Sequence, residues 1–177
     1  MIGVLVSGEG TNLQALIDAE LPIAAVASNR TDAAALGRAD QAGIPNRVFA
    51  LDNYADRAAR DRELADWLQL RGVDLVVLAG YMHLLTPVFL ERFPERIVNV
   101  HPSLLPEFPG THPIDDALAA GVETTGVTVH YVDEGIDSGP VIRQEPVAVE
   151  PRDTLESRIH AVEHRLLPEV VRELCAP

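Results

Sequence analysis

Residues 54–80 read YADRAARDRELADWLQLRGVDLVVLAG and predict a helix followed by a buried strand. The first part, 54–72, has the pattern of a long amphipathic helix, with Gly72 at its C-cap because glycine accepts the left-handed conformation that ends many helices. The second part, 74–80, is continuously apolar, which is typical of a parallel strand covered by helices on both faces. This helix–strand unit predicts an α/β protein.

The other segments continue this alternation. Strands are also predicted at 2–7, 23–29, 46–51 and 97–101, and helices at 12–20, 32–43, 87–94 and 114–121. Two alternating segments, 124–132 and 140–149, predict antiparallel partners, and a final helix is predicted over 153–174 with Asp153 as N-cap. We therefore expect an α/β fold: a single domain with a mostly parallel, doubly wound (Rossmann-like) sheet, helices on both faces and antiparallel strands near the C-terminal edge.

Composition excludes several classes of protein. The 177 residues carry a formal net charge of −13, which argues against nucleic-acid binding because phosphate contacts need clustered basic side chains. The single cysteine, Cys175, forms no disulfide framework and favours a reducing compartment. The apolar N-terminal run is too short for a signal peptide or a membrane span, so we expect a soluble cytoplasmic protein. No His/Cys/Asp spacing resembles a metal site, so no metal is expected.

A glycine-rich turn follows the first predicted strand, in SGEGTNLQ at 7–14. Gly8 and Gly10 allow a tight turn, and the backbone amides that open the next helix form a site for a phosphate. A dinucleotide fingerprint is not matched, because Leu13 stands at the third glycine position, so a single phosphate is the expected ligand. The alternative is a plain turn in which Thr11 or Asn12 caps the helix.

The segment NVHPSLLP at 99–106 places an amide and an imidazole at the end of a buried strand. Residues i and i+2 of a strand share a face, so Asn99 and His101 point together, and Pro102 disfavours helix at His101. Both side chains could hydrogen-bond a developing oxyanion, although a lone histidine is more often structural. Asp137, in a glycine-bracketed loop, could orient His101; otherwise it is only a turn former.

The segment LAGYMHLL at 78–85 ends another strand and offers apolar walls for a flat ring, although the same residues could equally be core. With SGEGTNLQAL, NVHPSLLPEFPG and GIDSGPVI, it occurs in the order and spacing of the phosphoribosylglycinamide formyltransferase family. The chain resembles this family, within the 10-formyltetrahydrofolate-dependent superfamily, from residue 2 to about 170. The resemblance implies one formyltransferase domain over 1–177, with a phosphate-binding N-terminal half and a folate-binding and catalytic C-terminal half.

The resemblance also implies the activity and the site. A formyl group would pass from 10-formyltetrahydrofolate to the amine of 5-phosphoribosylglycinamide (GAR), in purine (IMP) biosynthesis, and the protein would be a monomer or homodimer. His83 stands where the family usually carries Arg. The implied catalytic residues are Asn99, His101 and Asp137; those for the GAR phosphate and ribose are Gly10, Thr11, Asn12, Leu13 and Glu163; those for folate are Arg57, Tyr81, Met82, His83, Leu84, Leu85 and Asn99.

Three alternatives remain. In a formyltetrahydrofolate hydrolase, water would replace the amine, but such relatives usually carry a further N-terminal domain. A methionyl-tRNA formyltransferase would need a C-terminal domain and a basic surface, and the charge of −13 disfavours tRNA. A non-catalytic phosphate-binding module would explain the glycine turn but would leave Asn99, His101 and Asp137 without a role.

Overall fold

The strands of the computed structural model, which describes residues 1–176, form one mixed sheet. The strand order is β3-β2-β1-β4-β5-β6-β7, which confirms the predicted fold class. The strands are β1 Ile2–Val6, β2 Ile23–Ser28, β3 Asn46–Val48, β4 Leu75–Leu78, β5 Ile97–His101, β6 Thr124–Tyr131 and β7 Val141–Ala148. The helices are α1 Thr11–Asp18, α2 Ala34–Gln41, α3 Arg57–Gln69, α4 Pro87–Leu90, α5 Pro113–Ala120 and α6 Leu155–Cys175.

The first of two compact units spans Met1–Val98 and contains β1 to β4. Strand β1 pairs in parallel with β2 on one side and β4 on the other, and β2 pairs in parallel with β3. Every residue of β1 and β4 is buried, as expected for strands with both faces covered. Parallel strands place their carboxyl ends at one edge of the sheet, so the loops after β1, β2, β3 and β4 converge there.

The second unit spans Asn99–Ala176 and contains the predicted antiparallel pair. Strand β6 pairs with β7 from Thr124 opposite Ala148 to His130 opposite Val141, and the register shifts between Val129 and His130. Helix α6 packs on both strands through a buried stripe at helical spacing: Leu155, Ile159, Glu163, Leu166, Leu167, Val170 and Val171.

Several element boundaries differ from the predicted ones. The strand expected over 46–51 ends at Val48, and a 3₁₀ turn follows at Leu51–Asn53. The helix expected over 54–72 is α3. It begins only at Arg57, because Asp56 is its N-cap and accepts a hydrogen bond from the Ala59 amide at 2.7 Å. Its C-cap is Leu70 and not Gly72, which lies two residues further on with φ 73°. Asp153 is not the N-cap of α6: it lies within the 3₁₀ turn Arg152–Thr154, and Thr154 is the cap.

No helix within residues 1–176 is both long enough and apolar enough to span a membrane.

Candidate active site

The turn after β1 depends on a glycine. Gly10 is the N-cap of α1 with φ 74°, and a Cβ atom added to it would lie 2.5 Å from the Ala35 Cβ. A side chain is therefore excluded both by backbone conformation and by space. Neither Thr11 nor Asn12 caps α1 through its side chain, so the capping alternative is wrong. The helix start presents backbone N–H groups and the positive end of the helix dipole.

The predicted phosphate residues occupy the first turn of α1. Thr11 is exposed, whereas the Leu13 side chain is fully buried, so only the backbone of Leu13 can reach a ligand. Arg38 lies beside this turn, since its Nε donates to the Glu9 carbonyl at 2.8 Å and its Nη1 to Gln14 Oε1 at 3.3 Å. Arg38 was not predicted from the sequence, because it is distant along the chain and reaches this turn only through the packing of α2 beside it.

A cavity of about 760 Å³ lies at the carboxyl ends of β1 to β4. Ser7 connects two of these strand ends: its hydroxyl donates to Asn29 Oδ1 at 2.5 Å and accepts from the Met82 amide at 2.8 Å. The cavity is lined by Ser7, Gly8, Asn29, Arg30, Ala50, Leu51, Asp52, Gly80, Met82 and His83.

The predicted ring-binding segment follows β4 and carries exposed apolar side chains. Met82 is 60% exposed and Leu84 is 53% exposed, so these two residues are not core. Tyr81 and Leu85 are half-buried, and burial raises the pKa of Tyr81 to about 12. The segment therefore offers an apolar surface at a strand end, where α/β proteins bind ligands.

A buried ion pair lies beside this segment. Arg60 and Asp61, both on α3, are fully buried, and Arg60 Nε donates to Asp61 Oδ1 at 2.9 Å. Asp61 Oδ2 accepts from the amide and hydroxyl of Thr86 at 2.7 and 2.8 Å, and Arg60 Nη1 lies 2.6 Å from His83 Nδ1. Arg57, at the exposed start of α3, adds a charge that lowers the pKa of His83, after burial and Arg60.

The second unit brings Asn99, His101 and Asp137 together around a histidine. His101 is 4% exposed, and its Nδ1 lies 3.6 Å from Asp137 Oδ2. The other ring nitrogen, Nε2, lies 2.8 Å from the Phe108 carbonyl, which can only accept, so Nε2 carries a proton. Both ring nitrogens of His101 thus face oxygen atoms, one of a carboxylate and one of a backbone carbonyl.

Backbone geometry fixes the loop that carries Asp137. Asp137 has φ 51°, in the left-handed region that Asp and Asn tolerate better than most residues, and its Oδ2 accepts from the Gly110 amide at 2.9 Å. Gly139 is required because an added Cβ would lie 1.8 Å from the Tyr131 carbonyl oxygen. The loop folds back so that its carboxylate reaches His101.

A further histidine, which sequence reasoning missed, completes this cluster. His130 Nε2 lies 3.3 Å from Asn99 Nδ2 and 3.7 Å from Asp137 Oδ1. Its Nδ1 donates to the Tyr131 carbonyl at 2.8 Å, and burial lowers its pKa, so neutral His130 accepts from the Asn99 amide at Nε2. A histidine at the end of an apolar strand, seven residues before Asp137, was the available signal.

Glu163, predicted to lie near the ribose, is 4% exposed on α6. Its Oε2 lies 2.8 Å from His160 Nδ1, and this hydrogen bond raises the pKa of His160. A carboxylate in this setting can accept hydrogen bonds from hydroxyl groups.

Comparison with known proteins gives consistent matches over almost the whole chain. A model of the formyl transferase family matches residues 1–171. Phosphoribosylglycinamide formyltransferase of Haemophilus influenzae is 44% identical, over 97% of this chain and 85% of that protein. Trifunctional purine biosynthetic protein adenosine-3 of Drosophila melanogaster is 43% identical, over 98% of this chain but 14% of that protein.

A solved structure agrees with these matches. The crystal structure of glycinamide ribonucleotide transformylase 1 from Geobacillus kaustophilus superposes with a TM-score of 0.95 at 45% identity, covering 99% of this chain and 98% of that chain. Sequence, fold and the clustered Asn99, His101 and Asp137 lead to one conclusion: the chain belongs to the formyl transferase family.

Proposed function

We propose that this protein transfers the formyl group of 10-formyltetrahydrofolate to the amine of GAR, in purine biosynthesis. The observation that carries the proposal is the cluster of Asn99, His101 and Asp137, whose side chains converge within one compact unit. The names of the H. influenzae and G. kaustophilus relatives support the choice of GAR as acceptor.

The cluster suits acyl transfer to an amine. The neutral amine of GAR attacks the formyl carbon, a C–N bond forms, and the carbonyl oxygen becomes an oxyanion. The Asn99 amide donates to that oxyanion, because preorganised donors act where charge develops. Protonated His101, whose two N–H groups face Asp137 and the Phe108 carbonyl, stabilises the oxyanion by its charge. The bond between the formyl carbon and the folate nitrogen then breaks, the amine gives up one proton, and the folate nitrogen gains one. Asp137 lies beside His101 and relays the proton, directly or through water.

The substrates are assigned to segments by the resemblance and by local chemistry. Gly10 to Leu13 hold the GAR phosphate with backbone amides, and Arg38 adds a positive charge beside this turn. Glu163 accepts from the ribose hydroxyls. Arg57 contacts the carboxylate tail of folate. The folate ring lies on the apolar segment of Tyr81, Met82, Leu84 and Leu85, which also carries His83. The resemblance implies a further folate contact for Asn99.

Further parts of the proposal come from the sequence. We infer that residues 1–177 act as one formyltransferase domain, that no metal takes part, and that the protein works in the reducing cytoplasm, as a monomer or homodimer.

One assay tests the activity. The protein is incubated with 10-formyltetrahydrofolate, with and without GAR, and deformylated folate is followed by absorbance while formylated GAR is identified by mass. We expect folate release that depends on GAR. Equal release with water alone would assign the chain to the hydrolases, and no release under either condition would contradict both enzymatic assignments.

A further inference from the structure

His83 has one ring nitrogen whose protonation state is decided by its neighbour. His83 Nδ1 lies 2.6 Å from Arg60 Nη1. A guanidinium group has only donors, so the Nδ1 atom must accept. Nδ1 therefore carries a lone pair, and the ring proton of neutral His83 resides on Nε2.

Arg60 is fixed well enough to impose this choice. It is fully buried, its Nε donates to Asp61 Oδ1, and Asp61 is held in turn by both donors of Thr86. Arg60 Nη2 lies 2.7 Å from the same Asp61 oxygen, but its N–H bonds are not aligned with it, so no hydrogen bond forms there. Nη1 is thus the group that Arg60 directs at His83.

The net effect of the surroundings of His83 also favours the neutral ring. Burial lowers the pKa of His83, and the cations Arg60 and Arg57 lower it further, while Asp61 raises it. Tyr81, the other titratable neighbour, packs its ring against the imidazole with 6.1 Å between centroids and stays neutral. A proton on Nδ1 would have to displace the contact with Arg60, so His83 stays neutral at physiological pH.

We infer that Arg60 is a positioning residue that holds His83 as its neutral Nε2–H tautomer, so that His83 offers the cavity at the ends of β1 to β4 a hydrogen-bond donor and not a cation. His83 lines this cavity, and among residues 1–176 its Nε2 has no hydrogen-bond partner. The matching ligand group is an acceptor oxygen, a carbonyl or a carboxylate. That this oxygen belongs to the folate rests on the proposed function.

Nitrogen NMR of the full-length protein tests the protonation state without any substrate. Imidazole ¹⁵N spectra distinguish a ring nitrogen that carries a proton from one that does not, and His83→Gln assigns the signal by its loss. We expect His83 to show a bare Nδ1 and a protonated Nε2 from pH 8 down to its ordinary pKa of 6.5. A proton on Nδ1 at pH 7 would overturn the inference, whether or not the protein transfers formyl groups.

Arg60→Met tests the cause. Without the guanidinium we expect the tautomers to mix and the pKa of His83 to rise towards its ordinary value of 6.5. Arg62→Met, an exposed arginine on the same helix, is the matched control and should leave the His83 signals as they are. If Arg60→Met does not fold because Asp61 is left unpaired, Arg60→Met/Asp61→Asn removes both charges, with the same expectation for His83. Unshifted His83 signals in either folded variant would contradict a role for Arg60.

Folate kinetics test the donor. His83→Leu removes it and should raise KM for 10-formyltetrahydrofolate by about two- to tenfold, with a smaller effect on kcat, as expected for one neutral hydrogen bond. His83→Gln keeps a neutral amide donor and should recover part of this loss. A KM in His83→Leu equal to that of the original protein would refute the ligand contact, even if the NMR result holds.

Discussion

Asn99 Nδ2 lies 3.3 Å from His130 Nε2, so the amide proposed to bind the oxyanion is oriented by a second histidine. Nε2 of His130 can accept there because the ring proton is on Nδ1, which donates a hydrogen bond to the Tyr131 carbonyl. Its burial keeps the ring neutral and so preserves the acceptor. The orientation of Asn99 thus depends on a residue that need not touch the substrate.

We predict that His130→Ala lowers kcat by about 10- to 100-fold, because an amide misplaced by about 1 Å loses much of its effect on the transition state. KM for GAR should change little. His130→Gln provides an amide oxygen for Asn99 and should recover part of the loss. Steady-state kinetics with circular dichroism as the folding check decide the matter, and full kcat in a folded His130→Ala protein would contradict the prediction.

Asp137→Asn should lower kcat by at least about 100-fold, since general acid–base catalysis contributes about 10²–10⁴ and one preorganised donor about 10²–10³. Asn is the suitable replacement because it tolerates φ 51° and can still accept from the Gly110 amide. GAR affinity, measured by calorimetry, should stay close to that of the original protein.

The double variant His101→Ala/Asp137→Asn tests whether the two residues act together. If they serve one transition state, its loss should be much smaller than the product of the two single losses. Single-turnover formyl transfer provides the measurement. Losses that multiply would make Asp137 a turn former without a catalytic role.

Gly10→Ala should destabilise the protein by about 1–3 kcal/mol or more, since a left-handed non-glycine residue is strained and the new Cβ meets Ala35. Gly8→Ala is the control, because a Cβ added there meets nothing within 4 Å. Urea unfolding compares them. Equal stability of the two variants would mean that the turn relaxes without cost, and any loss of GAR binding in Gly10→Ala must be judged after this comparison.

Asp61→Ala should cost about 3–5 kcal/mol, because it leaves Arg60 buried without its counter-ion. Asp66 lies on the exposed side of the same helix and forms an ion pair with Arg92, which lies outside the helix. Asp66→Ala should therefore cost only about 0–1 kcal/mol. Both are read from urea unfolding at pH 7. Similar losses in the two variants would show that the buried pair contributes no more than the surface one.

Stability should fall in mild acid, partly through His130. Its pKa is below 6.5 in the folded protein, so the unfolded chain binds a proton first as the pH drops. The contribution of His130 is therefore complete above pH 6.5 and is lost as the pH falls through the lower folded value. Unfolding free energies at pH 8 and 5 should differ less for His130→Gln than for the original protein, and an unchanged pH dependence would contradict this.

The fold followed from local patterns, whereas part of the candidate site did not. The apolar run of β4 and the alternation of β6 and β7 predicted the sheet, because periodicity reports burial directly. The same period of two placed Asn99 and His101 on one face. The contact between Arg60 and His83 could not be predicted from the sequence, because a charged residue on a helix normally predicts a face exposed to solvent, whereas Arg60 is buried. His130 was missed for a related reason: a histidine within an apolar strand is indistinguishable from a packed one.

The left-handed backbone at Asp137 limits substitutions at this position in two independent ways. The conformation favours Gly, Asn and Asp over most other residues, and of these three only Asp carries a carboxylate. In a saturation library sorted first for folded protein and then for growth without purines, the first selection should keep these three residues and the second should keep Asp alone.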